Sequence, residues 1–237
     1  MTNKIRHLPY AVDETKDRHH FFENNWKRVA LALLKTHADE LRDLTLLDYG
    51  CGRGETMAYA SQLGMRVTGL DADPECVRLA AQYGPAHLLN LESPREQVGR
   101  QSFDVVACFH VLEHVDNPRA VLSMLAEAAR RYVLIAVPNL QQIPNLRKPH
   151  ASPGRCNDGH LQSWDHSHFR NLAENHCGLQ VLDWATDATI VPVASELVRR
   201  LFGNKAVIAL ETGLFRRLFP YWGISIIALC QPVRLNQ

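Results

Sequence analysis

The chain has 237 residues, 46% of them hydrophobic, and a formal net charge of +1 at pH 7, which suits one decorated α/β domain with a full core. So small a charge provides no global field toward nucleic acid, so binding by phosphate neutralisation is not favoured. The cysteines, Cys51, Cys76, Cys108, Cys156, Cys177 and Cys230, are far apart with no CxxC pair, which predicts free thiols in a reduced, cytoplasmic protein. The polar N-terminus lacks the apolar segment of a secretory signal. No apolar run approaches the roughly 20 residues of a bilayer span, so stable membrane insertion is not expected.

Residues up to about 10 read as loose, with Pro9 discouraging helix. Residues 13–41 have helical spacing, with Val29, Leu33 and Leu34 at apolar positions, and predict a helical cap spanning residues 1–43. The stretch 45–73, TLLDYGCGRGETMAYASQLGMRVTGLDAD, then sets the architecture. An apolar run ends in Asp48, glycines follow at Gly50, Gly52 and Gly54, a helical pattern covers 55–63, and a second apolar run delivers Asp71. Strand, glycine turn, helix and a strand tipped by a carboxylate form the nucleotide pocket of a doubly wound sheet.

The glycines let the main chain approach a ligand. A pyrophosphate would need the next helix N-terminus free of negative charge. Here Glu55 follows the third glycine, the spacing is GxGxG, and Asp48 adds a second carboxylate. Such a pocket favours a phosphate-free ligand with cationic groups over a nicotinamide dinucleotide, and Asp71 is placed to accept from a ribose diol.

Further on, Pro74 marks a helix start, 75–83 a second helix and 86–91 a third strand. The fourth strand, FDVVACFH at 103–110, is apolar nearly throughout, as a strand buried on both faces should be. Asn117 and Pro118 then open a helix over 119–130, and 131–137 is the fifth strand. A Pro-rich, basic segment at 139–159 reads as a substrate lid or a surface insertion. Residues 160–168, HLQSWDHSH, lead into a helix at 169–177 and a strand at 178–183; 190–220 is helical and 222–230 is the last strand. No internal repeat is evident.

LLDYGCGRG, VTGLDAD, FDVVACFHVLEHVDNP and YVLIAVPN, in that order, resemble the motifs of class I S-adenosylmethionine-dependent methyltransferases, of the small-molecule type found in ubiquinone and methionine pathways. The resemblance is close over residues 44–139 and looser beyond. It implies a Rossmann-like, doubly wound, seven-stranded and mostly parallel sheet with an antiparallel last strand. Residues 44–237 would form the methyltransferase domain, with an inserted segment at 139–168. S-adenosylmethionine is the implied cofactor, held by Asp48, Gly50, Gly52, Gly54, Asp71, Ala72, Asn90, Leu91 and Phe109. Asn90 stands where the family usually has an aspartate beside the adenine. Trp26 and Arg28 resemble the aromatic and arginine that a leading helix sets near the cofactor carboxylate; a packing helix with a solvated basic face is the alternative.

In this fold His110, at a strand tip, faces the transferable methyl, and His114 lies in the turn after it. Either suits a general base toward a hydroxyl, with packing roles as the alternative. His160, Trp164, His166 and His168 are candidate substrate contacts. A metal site using the three histidines with Asp165 and Cys156 matches no zinc spacing, so no metal is expected. The Gly159–Phe169 stretch and the Phe219–Trp222 stretch also resemble methyltransferases of saccharide or lipid-linked glycan acceptors. The implied activity is methyl transfer to oxygen of a small-molecule or sugar/lipid-linked acceptor. A cofactor-binding regulatory or scaffold protein without turnover is the alternative.

Overall fold

The computed structural model describes residues 18–146 and 159–233. In chain order, α1 (Arg18–His37) precedes β1 (Thr45–Tyr49), α2 (Glu55–Gln62), β2 (Arg66–Asp71), α3 (Pro74–Ala80), β3 (Ala86–Leu88) and α4 (Pro94–Val98). Then come β4 (Phe103–Phe109), a 3-10 turn at Leu112–His114, α5 (Pro118–Ala128), β5 (Ala129–Pro138) and α6 (Ile143–Leu146). The chain ends with α7 (His166–Asn171) and a π turn, β6 (Leu179–Ala185), α8 (Pro192–Leu210), a second π turn, α9 (Arg216–Leu218) and β7 (Ser225–Pro232).

Side-chain caps set several of these starts. Asp73 accepts from the Glu75 amide at 2.8 Å with Pro74 opening α3, and Asn117 accepts from the Ala120 amide at 3.0 Å with Pro118 opening α5. Each cap is worth about 1 kcal/mol. Asp165 does the same for α7 through the His168 amide at 2.9 Å, so the helix expected over 169–177 begins at His166. The third strand, expected to reach residue 91, stops at Leu88. The Asn90 side chain accepts from the amides of Glu92 and Ser93, making a turn that leads into α4, which was not anticipated. Gly203, at φ 80°, kinks α8.

The sheet order is β3-β2-β1-β4-β5-β7-β6. β1 to β5 run parallel, and β7 is antiparallel to both of its neighbours. Strand order reverses between β1 and β4, which puts the ligand crevice of an open sheet at the carboxyl ends of those strands. Because Pro138 pairs with Ser225, β7 begins at that same edge.

The central strands are buried on both faces, with alternate residues facing opposite sides. Val106, Cys108, Val133, Ile135, Ile226 and Ala228 face a core built with Leu122 and Leu125 of α5 and Phe169 of α7. Val105, Ala107, Leu134, Ala136, Ile227 and Leu229 face a second core with Leu31 and Leu34 of α1 and Met57 of α2. Each fully buried Leu or Ile contributes about 1.5–3 kcal/mol, so α1 is held as part of the core as well as reaching the crevice. Among the described residues Cys51, Cys76, Cys108, Cys177 and Cys230 are free thiols, and no helix is long and apolar enough to cross a membrane. Cys156 lies outside the described residues.

Candidate active site

The loop from β1 to α2 carries Gly50, Gly52 and Gly54 at φ 77°, 52° and 88°, all left-handed. Two of them are also pressed by packing. A Cβ on Gly50 would lie 2.3 Å from Cγ2 of Val111, and one on Gly54 would lie 2.8 Å from the Cα of Ala80. A Cβ on Gly52 would meet nothing within 4 Å, so this glycine faces open space while its amide donates to Oδ2 of Asp71 at 2.7 Å. The other Asp71 oxygen accepts from the Asp73 amide at 2.9 Å. Each oxygen keeps a second lone pair for a ligand hydroxyl. Ala72, exposed, follows at the strand tip.

Asp48 is buried beneath this loop, and its Oδ2 has no hydrogen-bond partner. Burial pushes its carboxyl up to about 7, the Lys27 ammonium pulling the other way and Glu55 adding to the rise. Lys27 of α1 lies 3.4 Å from Glu55, 3.1 Å from Oδ1 of Asn24 and 4.7 Å from the centre of the Trp26 ring. Two carboxylates, Asp48 and Glu55, thus converge on one ammonium. A buried acid with one unpartnered oxygen, a glycine open to the crevice and a surplus of negative groups fit a cationic nucleoside; they do not fit a pyrophosphate.

Trp26 of α1 packs edge-on to Phe109 at 5.4 Å and against His110 at 4.7 Å, at the tip of β4. Arg28 lies over the Tyr59 ring at 4.9 Å. Asn90 is occupied by its turn, its amide nitrogen also donating to Ser93 at 2.9 Å, and Leu91 beside it is 71% exposed.

His110 directly follows β4 at φ 53°, a conformation that costs a non-glycine residue of order 1–3 kcal/mol and persists only where surroundings enforce it. Its amide donates to the Ala136 carbonyl at 2.8 Å. Its Nδ1 lies 3.1 Å from Oε1 of Glu113, which is wholly buried, and its Nε2 lies 3.3 Å from Oγ of Ser225. The Ser225 hydroxyl has a second acceptor, Oδ2 of Asp187, at 3.4 Å. Asp187 is buried, which raises its carboxyl pKa, and accepts from the Ser225 amide at 3.1 Å. Assigning the Nδ1 proton toward Glu113 leaves Nε2 as the acceptor. Glu113, Ser225 and Asp187 were not singled out in the sequence. Only Glu113 left a trace there, three residues after His110 and so within reach across one turn.

The histidines after residue 159 divide. His114 Nδ1 lies 2.8 Å from the Gly159 carbonyl, and its ring meets that of His160 at 4.9 Å, while the Leu161 amide donates to the Glu113 carbonyl at 2.7 Å. Burial lowers the His160 pKa. Glu113, His114 and His160 offer ligand atoms within 4.8 Å of one another, a nitrogen and oxygen set of the kind zinc accepts. His166, lowered by burial, sits between Trp184 and Tyr221. His168 is bonded to the capping Asp165, and Trp164 is buried against Phe169 in the core.

A methyltransferase-domain family model matches residues 17–183. The ubiquinone biosynthesis O-methyltransferase of Idiomarina loihiensis is 32% identical over 114 residues, 43% of this chain and 44% of that protein. The enzyme of the same description from Rickettsia bellii is 33% identical over 88 residues, 35% and 37% of the two chains. The chain thus spans less than half the length of these curated relatives. Among solved structures, a Haloferax volcanii methyltransferase complexed with the Trm112 methyltransferase activator superposes with a TM-score of 0.62 at 18% identity, covering 93% and 96% of the two chains. The magnesium protoporphyrin IX methyltransferase of Synechocystis with bound S-adenosylmethionine gives 0.57 at 17% identity, covering 92% and 84%. At such identities the superpositions show a shared fold.

Proposed function

From the premise that the chain belongs to the class I S-adenosylmethionine-dependent methyltransferase family, we propose that it directs the cofactor's methyl group to a hydroxyl oxygen of a small-molecule or sugar/lipid-linked acceptor, with His110 as general base. The observation that carries this is the pairing of His110 with buried Glu113 at the strand tip beside the glycine loop. The curated relatives, described as O-methyltransferases, support oxygen as the attacking atom.

The residues divide the work. The Gly50–Gly54 loop and Asp71 would hold the nucleoside, and Asp48 with its unpartnered oxygen would answer the positive groups. S-adenosylmethionine supplies an activated methyl on a sulfonium, already bound to a good leaving group. The chain's own residues then have to align the acceptor and take up its proton. Alignment is worth several kcal/mol, and a positioned base adds a factor of about 10² to 10⁴.

Glu113 keeps the Nδ1 proton in place and balances the imidazolium that forms, as an orienting carboxylate does. An acceptor hydroxyl presented at Nε2 takes the place of Ser225, whose hydroxyl turns to Asp187. Trp26, packed on His110, would help exclude water from the base.

A second reading, a cofactor-binding protein without turnover, draws on the fact that both His110 ring nitrogens already have protein partners. Transfer of labelled methyl from S-adenosylmethionine to a panel of phenols, sugars and lipid-linked hydroxyls tests the two. Label in any acceptor, lost in His110→Ala with cofactor affinity retained, supports the proposal. Cofactor binding with no label in any acceptor supports the second.

A further inference from the structure

The connection from β6 to β7, residues 186–224, leaves the sheet at the edge that holds His110, because Ser225 follows it directly. Its first helical segment, from Pro192 to the kink at Gly203, turns an apolar face outward. Val193, Leu197 and Leu201 recur every four residues, which is one helical face, and each is more than half exposed; Phe202 beside them is 71% exposed. Ser195, by contrast, is buried, with no hydrogen-bond partner for its hydroxyl. Scattered exposed apolar residues need no explanation, but a row of this kind marks a surface that something covers.

The charges of the same connection say what that is. Its acidic residues are Asp187, Glu196 and Glu211, and Asp187 and Glu211 are buried. Glu196, the acid on the outward side, is bonded to both Arg199 and Arg200, and Arg216 and Arg217 add two more positive charges, so the surface is basic against a chain of net charge +1. Tyr221 and Trp222, both exposed, close the connection with the ring types that favour a membrane–water boundary. Pairing two copies through this face would set the same arginines against one another.

We propose that the α8–α9 connection docks the protein on an anionic lipid bilayer. Its apolar row lies at the headgroup boundary and its arginines lie against lipid phosphates. The docking is peripheral, since no described helix can cross the bilayer. It goes beyond the proposed methyl transfer and is read by binding alone, so either can fail without the other.

The test is co-sedimentation of the full chain with vesicles of equal parts phosphatidylcholine and phosphatidylglycerol, and with phosphatidylcholine alone. The chain is expected to pellet with the anionic vesicles, less so as salt is raised, and not with the neutral ones. Leu201→Ser with Phe202→Ser, and separately Arg216→Glu with Arg217→Glu, should each reduce the bound fraction about tenfold. Unchanged S-adenosylhomocysteine affinity by calorimetry certifies that each variant is folded. No partition of the wild-type chain into anionic vesicles, or equal partition of the variants, overturns the proposal. So does self-association in sedimentation velocity that Phe202→Ser abolishes while vesicles stay bare, which would assign the face to a second copy.

Discussion

Nδ1 of His110 and Oε1 of Glu113 lie 3.1 Å apart, with the carboxylate wholly buried and the imidazole open to the crevice. A buried acid behind a partly exposed histidine fixes which ring nitrogen carries the proton, and so which one can accept another. Glu113→Gln keeps the shape and removes the charge. It is expected to lower kcat for methyl transfer by about 10² or more, with S-adenosylmethionine affinity within a few-fold of wild type. Steady-state kinetics beside calorimetry check both halves.

Asp48 makes stability depend on pH. Its folded-state pKa, about 7, lies above the unfolded value near 3.8, so the folded chain holds this proton more tightly. The stabilising contribution is complete below about pH 4 and is lost as pH rises through 7. Asp48→Asn removes that loss and should be more stable than wild type at pH 8 by about 1–4 kcal/mol, the gap closing toward pH 5. Denaturant melts across that range measure it. Cofactor affinity should move oppositely, rising with pH in the wild type and flat in the variant.

The glycines of the loop should separate by substitution. Gly50→Ala drives a Cβ against Val111 and is expected to cost more than about 2 kcal/mol, from strain and overpacking together. Gly52→Ala meets open space, so only backbone strain of about 1 kcal/mol applies. Its larger effect should be on S-adenosylmethionine binding. Paired thermal melts and calorimetric titrations distinguish the two.

Lys27→Met leaves Glu55 and Asp48 without their ammonium. Loss of the pair is expected to destabilise the chain by about 1–3 kcal/mol at pH 8 and by less at pH 5, where Asp48 is protonated. Urea unfolding at the two pH values measures the difference.

Trp164→Ala should act on stability. The ring is 6% exposed and packs on Phe169, so truncation is expected to cost about 3–5 kcal/mol. Trp164→Phe should recover most of it. A Tm unchanged in the alanine variant, with KM raised, would instead make this ring a substrate contact.

The order of strands, the glycine loop and the acids at two strand tips were legible because each is written locally. An apolar run, a breaker and a carboxylate follow one another within a few residues, and the family motifs repeat that order. The neighbours of His110 were not, since Ser225 lies 115 positions away and Asp187 belongs to a connection with no motif. Lys27 read as one basic residue on a charged helix, and only packing of α1 on α2 shows its place beside Glu55. The stretch HLQSWDHSH looked like one cluster. The sequence Asp165 to His168 has the spacing of a helix cap, and with that cap formed Trp164 turns into the core while His160 turns toward His114.

Because β7 sits between β5 and β6, β6 has no hydrogen-bonded neighbour in the sheet until residues 225–232 have left the ribosome. The parallel half of the sheet can assemble during synthesis, whereas β6 must wait unpaired for the final segment. Ser225 is the first residue of that segment, so the partner of His110 arrives with the same event that closes the sheet. A nascent chain stalled before it would carry the glycine loop, yet lack both its last pairing edge and the hydroxyl that faces His110.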